Sequence, residues 1–367
     1  MWRQFLYKRV KERSSLRINE KKCLRNRYKF SDCDKCIKVC PYGALSLVNG
    51  KVEMEEDRCR SCGQCVHTCP TEALYFEAEM MDKYDNRISQ KEAVTFACTI
   101  QSSNDEEDVT FPCLKSLSPE HLMISALYEK KCEVYCDYKQ CKNCEAAWEP
   151  EEGLKWLAEW NEHTESPKVP LVTNKEEKSG ANRTYNRREL FKMTSQQTKS
   201  QIGDLILDSY KEVIDLKEKI APTQKRQYTI AYLKKHQELL KMNMANSKTL
   251  SDKLNLTGIN VKGDCNICQT CSSLCPAGAL KVVEKDSLKA LEFEAGRCVN
   301  CDICEKACPS IQKHPVNQLS DLLNKTTLKT MLLNECPKCG SSKHTEEALC
   351  EECQRRKDKR GSLLSDW

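Results

Sequence analysis

The fold of this chain is decided by the stretch CRSCGQCVHTCP at residues 59–70, in which four cysteines are spaced C-x2-C-x2-C-x3-C and a proline follows the last. The same spacing recurs at residues 265–276 and 298–309, and a version without the first cysteine occupies residues 33–41. This spacing binds a [4Fe–4S] cube: three thiolates hold one cluster, and the fourth, turned away by the proline, ligates the neighbouring cluster of a pair. One such run could be chance or a zinc site. Four runs, arranged as two adjacent pairs, predict iron–sulfur clusters.

The composition indicates a multidomain protein of a reducing compartment. The chain has 367 residues, enough for two or three domains, and only 7% of them are aromatic, which makes a single large core unlikely. Its 26 cysteines follow ligand-like C-x2-C spacings and not the pattern of a disulfide framework. The basic N-terminus lacks the apolar region of a secretory signal, and no apolar run approaches the about 20 residues of a membrane span. We therefore expect a cytoplasmic protein.

The net charge of +5 is concentrated at the two ends of the chain. Residues 1–22 form a basic N-terminal segment, and residues 355–367 form a basic tail. Solvated basic segments are the simpler interpretation. Docking onto an acidic partner or an anionic membrane face is the alternative.

Two parts of the chain repeat one plan. In residues 23–80, Asn49-Gly50 between alternating apolar residues predicts a β-hairpin over 44–54, between the two cysteine runs. In residues 257–313, paired strands are predicted at 279–283 and 291–294, again between two runs. Two copies of one supersecondary unit indicate an internal duplication.

This arrangement resembles the bacterial two-cluster ferredoxin family over roughly a third of the chain. The resemblance implies crossed ligation. It departs from the family once, because the expected first ligand of the first run falls on Phe30, which cannot bind iron; Cys23 is the nearest substitute, and a three-iron or missing cluster is the alternative. The implied ligand sets are Cys23, Cys33, Cys36 and Cys69; Cys40, Cys59, Cys62 and Cys65; Cys265, Cys268, Cys271 and Cys308; and Cys275, Cys298, Cys301 and Cys304.

A different, cysteine-rich α/β domain is predicted at residues 90–163. Three short β-type runs end on Cys98, Cys113 and Cys136, and a helical pattern opens at Ser118-Pro119. Strand, crossover helix and strand favour a small parallel sheet, in which functional groups gather at the carboxyl ends of the strands. Cys141 and Cys144 follow in the next loop, whereas Cys132 begins its strand and is expected at the other end.

The central domain looks like the delta subunit of methyl-viologen-reducing hydrogenases, on its cysteine-ended strands and the turn at residues 111–114. That resemblance implies a further, [2Fe–2S]-type cluster. Zinc is one alternative. Uncomplexed thiols are the other, since free cysteine is often simply buried.

The rest of the chain supplies spacers and one more metal motif. A polar linker is predicted at 164–185, a helical spacer at 186–256 and a helix at 314–334. Two C-x2-C knuckles then predict a zinc ribbon at 335–354, with four thiolates in a closed tetrahedral array, which is typical of a structural site. The predicted zinc ligands are Cys336, Cys339, Cys350 and Cys353.

The predicted fold is therefore an α+β multidomain assembly of two ferredoxin-like dicluster modules, the central domain, the helical spacer and the ribbon. The sequence shows no activated nucleophile, paired carboxylates, dinucleotide fingerprint or P-loop. We expect a non-catalytic electron-transfer protein that relays electrons to or from a partner oxidoreductase. The alternative is a cluster-based redox sensor or regulatory protein, associated with nucleic acid through its ribbon and basic termini. Charge is near balance over most of the chain, which makes nucleic acid the less favoured partner.

Overall fold

The computed structural model describes most of the chain outside its two ends and a long central stretch. It divides into two compact units: one holds the chain up to Leu256 together with residues 299–301 and 315–320, and the other holds the remainder. None of the helices in the described ranges combines the length and the apolar character that a membrane crossing requires. The described residues are 16–28, 31–76, 80–102, 108–144, 149–164, 168–178, 222–237, 248–285, 287–316, 318–339, 342–343, 349 and 352–357.

The N-terminal module is a short hairpin flanked by the two cysteine runs. The predicted hairpin is confirmed: Val48 pairs with Lys51, so Asn49 and Gly50 form the whole loop, and both have the positive φ that a type I′ turn requires (51° and 78°). Two short strands of the same module, β1 at Arg17–Ile18 and β4 at Leu74–Tyr75, also pair antiparallel. The elements are β1 Arg17–Ile18, α1 Leu24–Arg27, α2 Lys35–Lys38, β2 Leu45–Val48, β3 Lys51–Met54, α3 Gln64–Thr68 and β4 Leu74–Tyr75.

The central domain is built on a four-stranded parallel sheet in the order β6-β5-β7-β8, which confirms the predicted parallel arrangement. Helix α5 is the crossover between β6 and β7, and its N-terminus carries a capping box in which Ser118 and His121 bond each other's backbone reciprocally. The elements are α4 Met81–Ser89, β5 Ala93–Cys98, β6 Asp108–Phe111, α5 Pro119–Leu127, β7 Lys131–Tyr135, α6 Tyr138–Lys142, α7 Pro150–Gly153, α8 Lys155–His163 and β8 Leu171–Val172.

The central sheet extends beyond the predicted domain boundary at residue 163. Strand β8 lies in the segment 164–185, for which we predict a polar linker, and its Val172 packs with Ala97 and Tyr135. Lys178, in the same segment, forms a buried ion pair of 2.5 Å with Asp108 of β6. Residues 168–178, the part of this segment that the structure describes, therefore contribute a strand of two residues and one buried lysine to the sheet. They do not form a simple linker.

Two helices follow in the region predicted as a helical spacer. Residues 186–221 and 238–247 of that predicted spacer lie outside the described residues. A helix is present after Pro222, and its Tyr232 ring lies 5.7 Å from the Trp160 ring. The described helices are α9 Gln224–Lys235 and α10 Lys248–Lys253.

The second unit repeats the hairpin of the first and adds a strand to it. The predicted pair of strands is confirmed, with Leu280 opposite Phe293. We predict a helix over 314–334, and this is wrong: Leu319–Leu322 forms a 3-10 turn and Lys325–Leu332 forms a strand that pairs with β11. Its run of threonines has the β-branched character that favours a pleated surface. The elements are β9 Gly258–Val261, α11 Thr270–Leu274, β10 Leu280–Lys285, β11 Leu288–Glu294, α12 Ile303–Ala307, β12 Ile311–His314, β13 Lys325–Leu332, β14 Asn334–Glu335 and β15 Ser342–Lys343.

Candidate cluster sites and metal centre

One open cavity in the N-terminal module is lined by all four cysteines of a predicted ligand set. These are Cys40, which precedes the hairpin, and Cys59, Cys62 and Cys65, which follow it. Apolar side chains of Leu16, Ala44, Leu45, Met54 and Phe76 supply part of the wall.

The chemistry of this cavity suits a group that replaces the thiol protons. Burial raises the pKa of Cys62, and burial followed by the nearby thiols raises the pKa of Cys65 well above its usual range. Packing four thiolates together without a cation would cost free energy through desolvation and mutual repulsion. Iron supplies the compensating positive charge, so the residues present fit a [4Fe–4S] cluster.

The cysteines of the second predicted ligand set of the module also lie near one another, with Cys23 close to Cys33, Cys36 and Cys69. Burial raises the pKa of Cys36 to about 12, and the charges of Cys69, Cys33 and Cys23 add to that rise. Phe30 lies outside the described residues. Cys23 is the N-cap residue of helix α1 and is buried. Its role as the fourth ligand stays a prediction.

Three of the four cysteines that precede proline share one turn. After Cys40, Cys69 and Cys275, the backbone N–H three residues on donates to the cysteine carbonyl, at 3.3, 3.4 and 3.3 Å. That third residue has positive φ in each case, and the next N–H donates to the cysteine sulfur. Hydrogen bonds to ligand sulfurs are one of the means by which a protein sets cluster potentials. The three donors are Ala44 at 3.3 Å, Ala73 at 3.2 Å and Ala279 at 3.2 Å.

In each complete run, the second cysteine lies between two residues whose backbone has the left-handed conformation, with positive φ. Successive turns of this kind point backbone N–H groups into one concavity, which suits an anionic cluster. A β-branched residue at positive φ, such as Ile267 at 52°, is an outlier that the surrounding structure must hold in place. The flanking pairs are Ser61 and Gly63, Ile267 and Gln269, and Asn300 and Asp302.

In the second unit, the predicted set Cys265, Cys268, Cys271 and Cys308 is also brought together. Burial raises the pKa of Cys271 to about 11, with further contributions from the charges of Cys308, Cys265 and Cys268. The hydroxyl of Thr270 lies 3.4 Å from the Cys268 sulfur and lowers the pKa of that thiol. The remaining set, Cys275, Cys298, Cys301 and Cys304, stays a prediction from the sequence.

Glu72, at the left-handed position of the Cys69 turn, caps a helix that begins 152 residues later. Its carboxylate accepts the N–H of Gln224 at 2.9 Å and that of Lys225 at 3.1 Å, at the start of α9. Lys225 Nζ donates to Nδ1 of His67 at 2.9 Å. Burial, followed by the charges of Lys225 and Lys253, holds the pKa of His67 well below its usual range, so the ring is neutral. The sequence gives no signal for this connection.

The five cysteines predicted for a further cluster lie at one end of the central sheet. Cys98 ends β5, Cys113 follows β6 and Cys136 follows β7, while Cys132 lies at the other end of β7, as expected. Burial raises the pKa of Cys98 to about 11, and the charges of Cys141 and Cys144 add to it. The five thiols are therefore close enough to interact electrostatically.

Two of these thiols are in direct contact. Cys136 Sγ lies 3.6 Å from Cys141 Sγ, and this hydrogen bond raises the pKa of Cys136 and lowers that of Cys141. Buried Gln101 donates from Nε2 to the Cys141 sulfur at 3.3 Å and accepts the N–H of Asp137 on Oε1 at 3.0 Å. Gln101 thus orients a candidate ligand, and nothing in the sequence identifies it. The donor set fits a thiolate-bound metal centre.

Three cysteine sulfurs near the C-terminal end of the described residues lie close enough together to hold one metal ion. The sulfurs of Cys336, Cys339 and Cys353 all lie within 4.8 Å of one another. Cys350, the fourth predicted ligand, lies outside the described residues. Thiolates at this separation can share one tetrahedral ion.

The comparisons with known proteins agree with the cysteine geometry. Residues 31–73 and 264–311 each match the family model described as a 4Fe-4S dicluster domain, and no curated protein matches the chain. The first match covers seven of the eight cysteines assigned to the N-terminal module and begins after Cys23. The two matched regions support two 4Fe–4S dicluster domains and, with the many cysteines, an iron–sulfur electron-transfer protein.

Proposed function

We propose that this protein is a relay of four [4Fe–4S] clusters that carries electrons to or from a partner oxidoreductase and performs no substrate chemistry of its own. The observation that carries this proposal is the cavity lined together by Cys40, Cys59, Cys62 and Cys65. A ligand set drawn from both cysteine runs is the crossed arrangement of a paired-cluster module.

The chain's own residues fix the properties of such a relay. A cubane changes its charge with little ligand movement, and its potential depends on burial and on hydrogen bonds to sulfur. Here the backbone N–H groups of Ala44, Ala73 and Ala279 supply those bonds. The apolar wall beside Cys40 excludes water from one cluster.

Two further centres complete the proposal. The five central cysteines hold a [2Fe–2S]-type cluster, supported by their gathering at one sheet edge and by the Gln101 hydrogen bond to Cys141. Cys336, Cys339, Cys350 and Cys353 hold one structural zinc ion. We further propose that the protein works in the cytoplasm.

Metal content after anaerobic purification tests these assignments. The chain should hold about sixteen irons in cubanes, four per cluster, and about two more in the central domain. Near eight irons on fully folded protein would contradict the four-cluster relay. A chain ending at Asn334 should lose one zinc and keep its iron spectrum, and loss of iron along with the zinc would make the ribbon a cluster site or a support for one.

Redox behaviour tests the relay itself. Reduced viologen should reduce the protein, a partner oxidoreductase should reoxidise it, and the isolated protein should turn over no small substrate. The rival function, a sensor on nucleic acid, is supported by the ribbon-like thiol group. We expect binding to DNA or RNA no tighter than the non-specific range, a Kd weaker than ~10⁻⁶ M at physiological salt. Tight, sequence-dependent binding that changes with cluster oxidation would favour the sensor.

A further inference from the structure

Gly63, the residue after the candidate ligand Cys62, touches the central domain. Its φ is +76°, and a Cβ built on it would overlap the Cβ of Ser116 and lie 3.1 Å from Ser116 Oγ and 3.5 Å from Ser116 Cα. Ser116 ends the 3-10 turn Leu114–Ser116, which begins directly after Cys113. The loop that follows one candidate cluster ligand therefore packs against the loop that follows another.

The internal repeat shows why residue 63 is a glycine. The equivalent positions after the other middle cysteines are Gln269 and Asp302, which have the same left-handed conformation at φ of 71° and 64°. The turn itself therefore accepts a side chain. At residue 63, the Ser116 side chain of the central domain occupies the space that a side chain would need.

A short covalent and hydrogen-bonded path joins the two cysteines across this contact. From Cys62 it follows the backbone to Gly63, crosses one van der Waals contact to the Ser116 side chain, and continues through the hydrogen bond from Ser116 Oγ to the carbonyl of Cys113, which is 2.7 Å long. Electron tunnelling falls steeply with distance and with each through-space gap, and this path contains one such gap.

One buried cation serves both sites. Lys115 is 8% exposed, and its Nζ lies 5.9 Å from the centroid of the Tyr42 ring. The positive charge of the Lys115 ammonium acts on both Cys62 and Cys113, so it favours negative charge on either side of the contact.

We propose that the Gly63–Ser116 contact is the junction through which electrons pass between the Cys40, Cys59, Cys62 and Cys65 cluster and the central five-cysteine centre. The inference rests on the proposed function, because it requires a redox centre at both sites. One electron crosses per event: the donor site is oxidised by one and the acceptor site is reduced by one, with no bond made or broken. Transfer in the opposite direction uses the same path.

The test uses the full-length, anaerobically loaded chain and three variants. Gly63→Ala should separate the two loops, and Gly63→Ala with Ser116→Gly should let them approach again because the blocking Cβ is removed. Gly50→Ala is the matched control, since Gly50 has φ of +78° and open space where a Cβ would be. The measurements are iron content, the spin–spin interaction between the two reduced centres by electron paramagnetic resonance, and the rate of electron passage between them.

Gly63→Ala should retain its iron, weaken the spin–spin interaction and slow electron passage tenfold or more. The double variant should recover most of the interaction, and Gly50→Ala should match the unaltered chain. If Gly63→Ala fails to fold, Ser116→Ala provides the test, because it removes only the hydroxyl and should slow passage severalfold. An unaltered rate in the folded variant overturns the junction while leaving the relay intact. Absence of any redox centre at the central cysteines overturns both the junction and the central part of the proposed function.

Discussion

The two dicluster modules are copies of one plan, and what they share is confined to the cluster ligands and their supports. Both place an antiparallel pair of strands between two cysteine runs. In both, the N–H of a glutamate at the end of the second strand donates to an alanine carbonyl, Glu55 to Ala44 at 2.9 Å and Glu294 to Ala279 at 2.8 Å. These common features hold the proline-bearing turn against the strands.

The two modules differ in the burial of one arginine and in the strands that pair with each hairpin. Arg297 is 5% exposed and donates from Nε to the carbonyl of Ala277 at 3.1 Å, whereas the side chain of Arg58, at the equivalent position, is 55% exposed. Strand β11 gains β13 as a second partner, while β2 and β3 pair only with each other among the described residues. Residues that are the same in both copies therefore support the proposed clusters. Residues that differ between the copies reflect what each module packs against.

The largest expected effect follows from removing the clusters with a chelator. Metal binding is folding free energy when the ligands lack another core, so both modules should lose structure. The hairpin β2–β3 should lose its hydrogen-exchange protection completely, and the three-stranded sheet of the second unit should keep part of it. Equal loss in both would show that β13 adds no independent stability.

Replacing the first ligand of each module compares Cys23 with its regular counterpart. Cys23→Ala and Cys265→Ala should each convert one cluster to a three-iron form visible by electron paramagnetic resonance, since each removes one thiolate of four. If only Cys265→Ala loses iron, Cys23 is not a ligand, and the first cluster of the chain lacks its fourth thiolate.

The arginine before the second cysteine run should matter in one module only. Arg297→Ala should lower the free energy of unfolding by about 2–3 kcal/mol, because a buried charged donor is removed from its carbonyl acceptor. Arg58→Ala should cost less than about 1 kcal/mol, because its ion pair with Glu55 is solvent-screened. Denaturant melts of the loaded protein measure both, and similar losses would contradict the different burial of the two side chains.

The smallest effect concerns the carboxylate of Glu294. Burial acts to raise its pKa, but the hydrogen bond from Lys281 at 3.0 Å and the charges of Lys281, Lys325 and Arg297 outweigh it, so the pKa is lowered. A lowered folded-state pKa gives stability that is present above the unfolded value of about 4.3 and is lost as pH falls through the folded value. Glu294→Gln should therefore destabilise the protein by about 1 kcal/mol at pH 7 and by progressively less below pH 4. A difference that does not vary with pH would exclude the carboxylate charge as the cause.

The sequence predicts the elements whose signals are local. The Asn49-Gly50 turn, the crossover helix after Ser118 and the cysteine-ended strands are read from a few neighbouring residues, and the structure confirms them. The prediction of a helix in place of strand β13 overlooked the threonines that favour a strand, and its pairing with β11 is not visible in its own sequence.

The features missed in the candidate sites depend on packing between distant segments. Gln101 bonds to Cys141 across 40 residues, and Glu72 caps α9 across 152. The reason for a glycine at residue 63 is the contact with Ser116, which leaves no room for a Cβ and is not visible in the sequence. Spacing rules identify ligands because metal geometry imposes them, whereas no comparable rule fixes the residues that surround a ligand.

The Glu72 cap ties the start of helix α9 to the turn at Cys69, which is a proposed cluster ligand. The N–H of Glu72 donates to the Cys69 carbonyl, and its carboxylate satisfies two of the otherwise unpaired N–H groups at the start of α9. If loss of the cluster releases the Cys69 turn, these two hydrogen bonds are lost, and the Thr223 side chain, which accepts the N–H of Arg226, remains as the cap. We therefore expect helix α9 to fray at its first turn in protein that lacks this cluster.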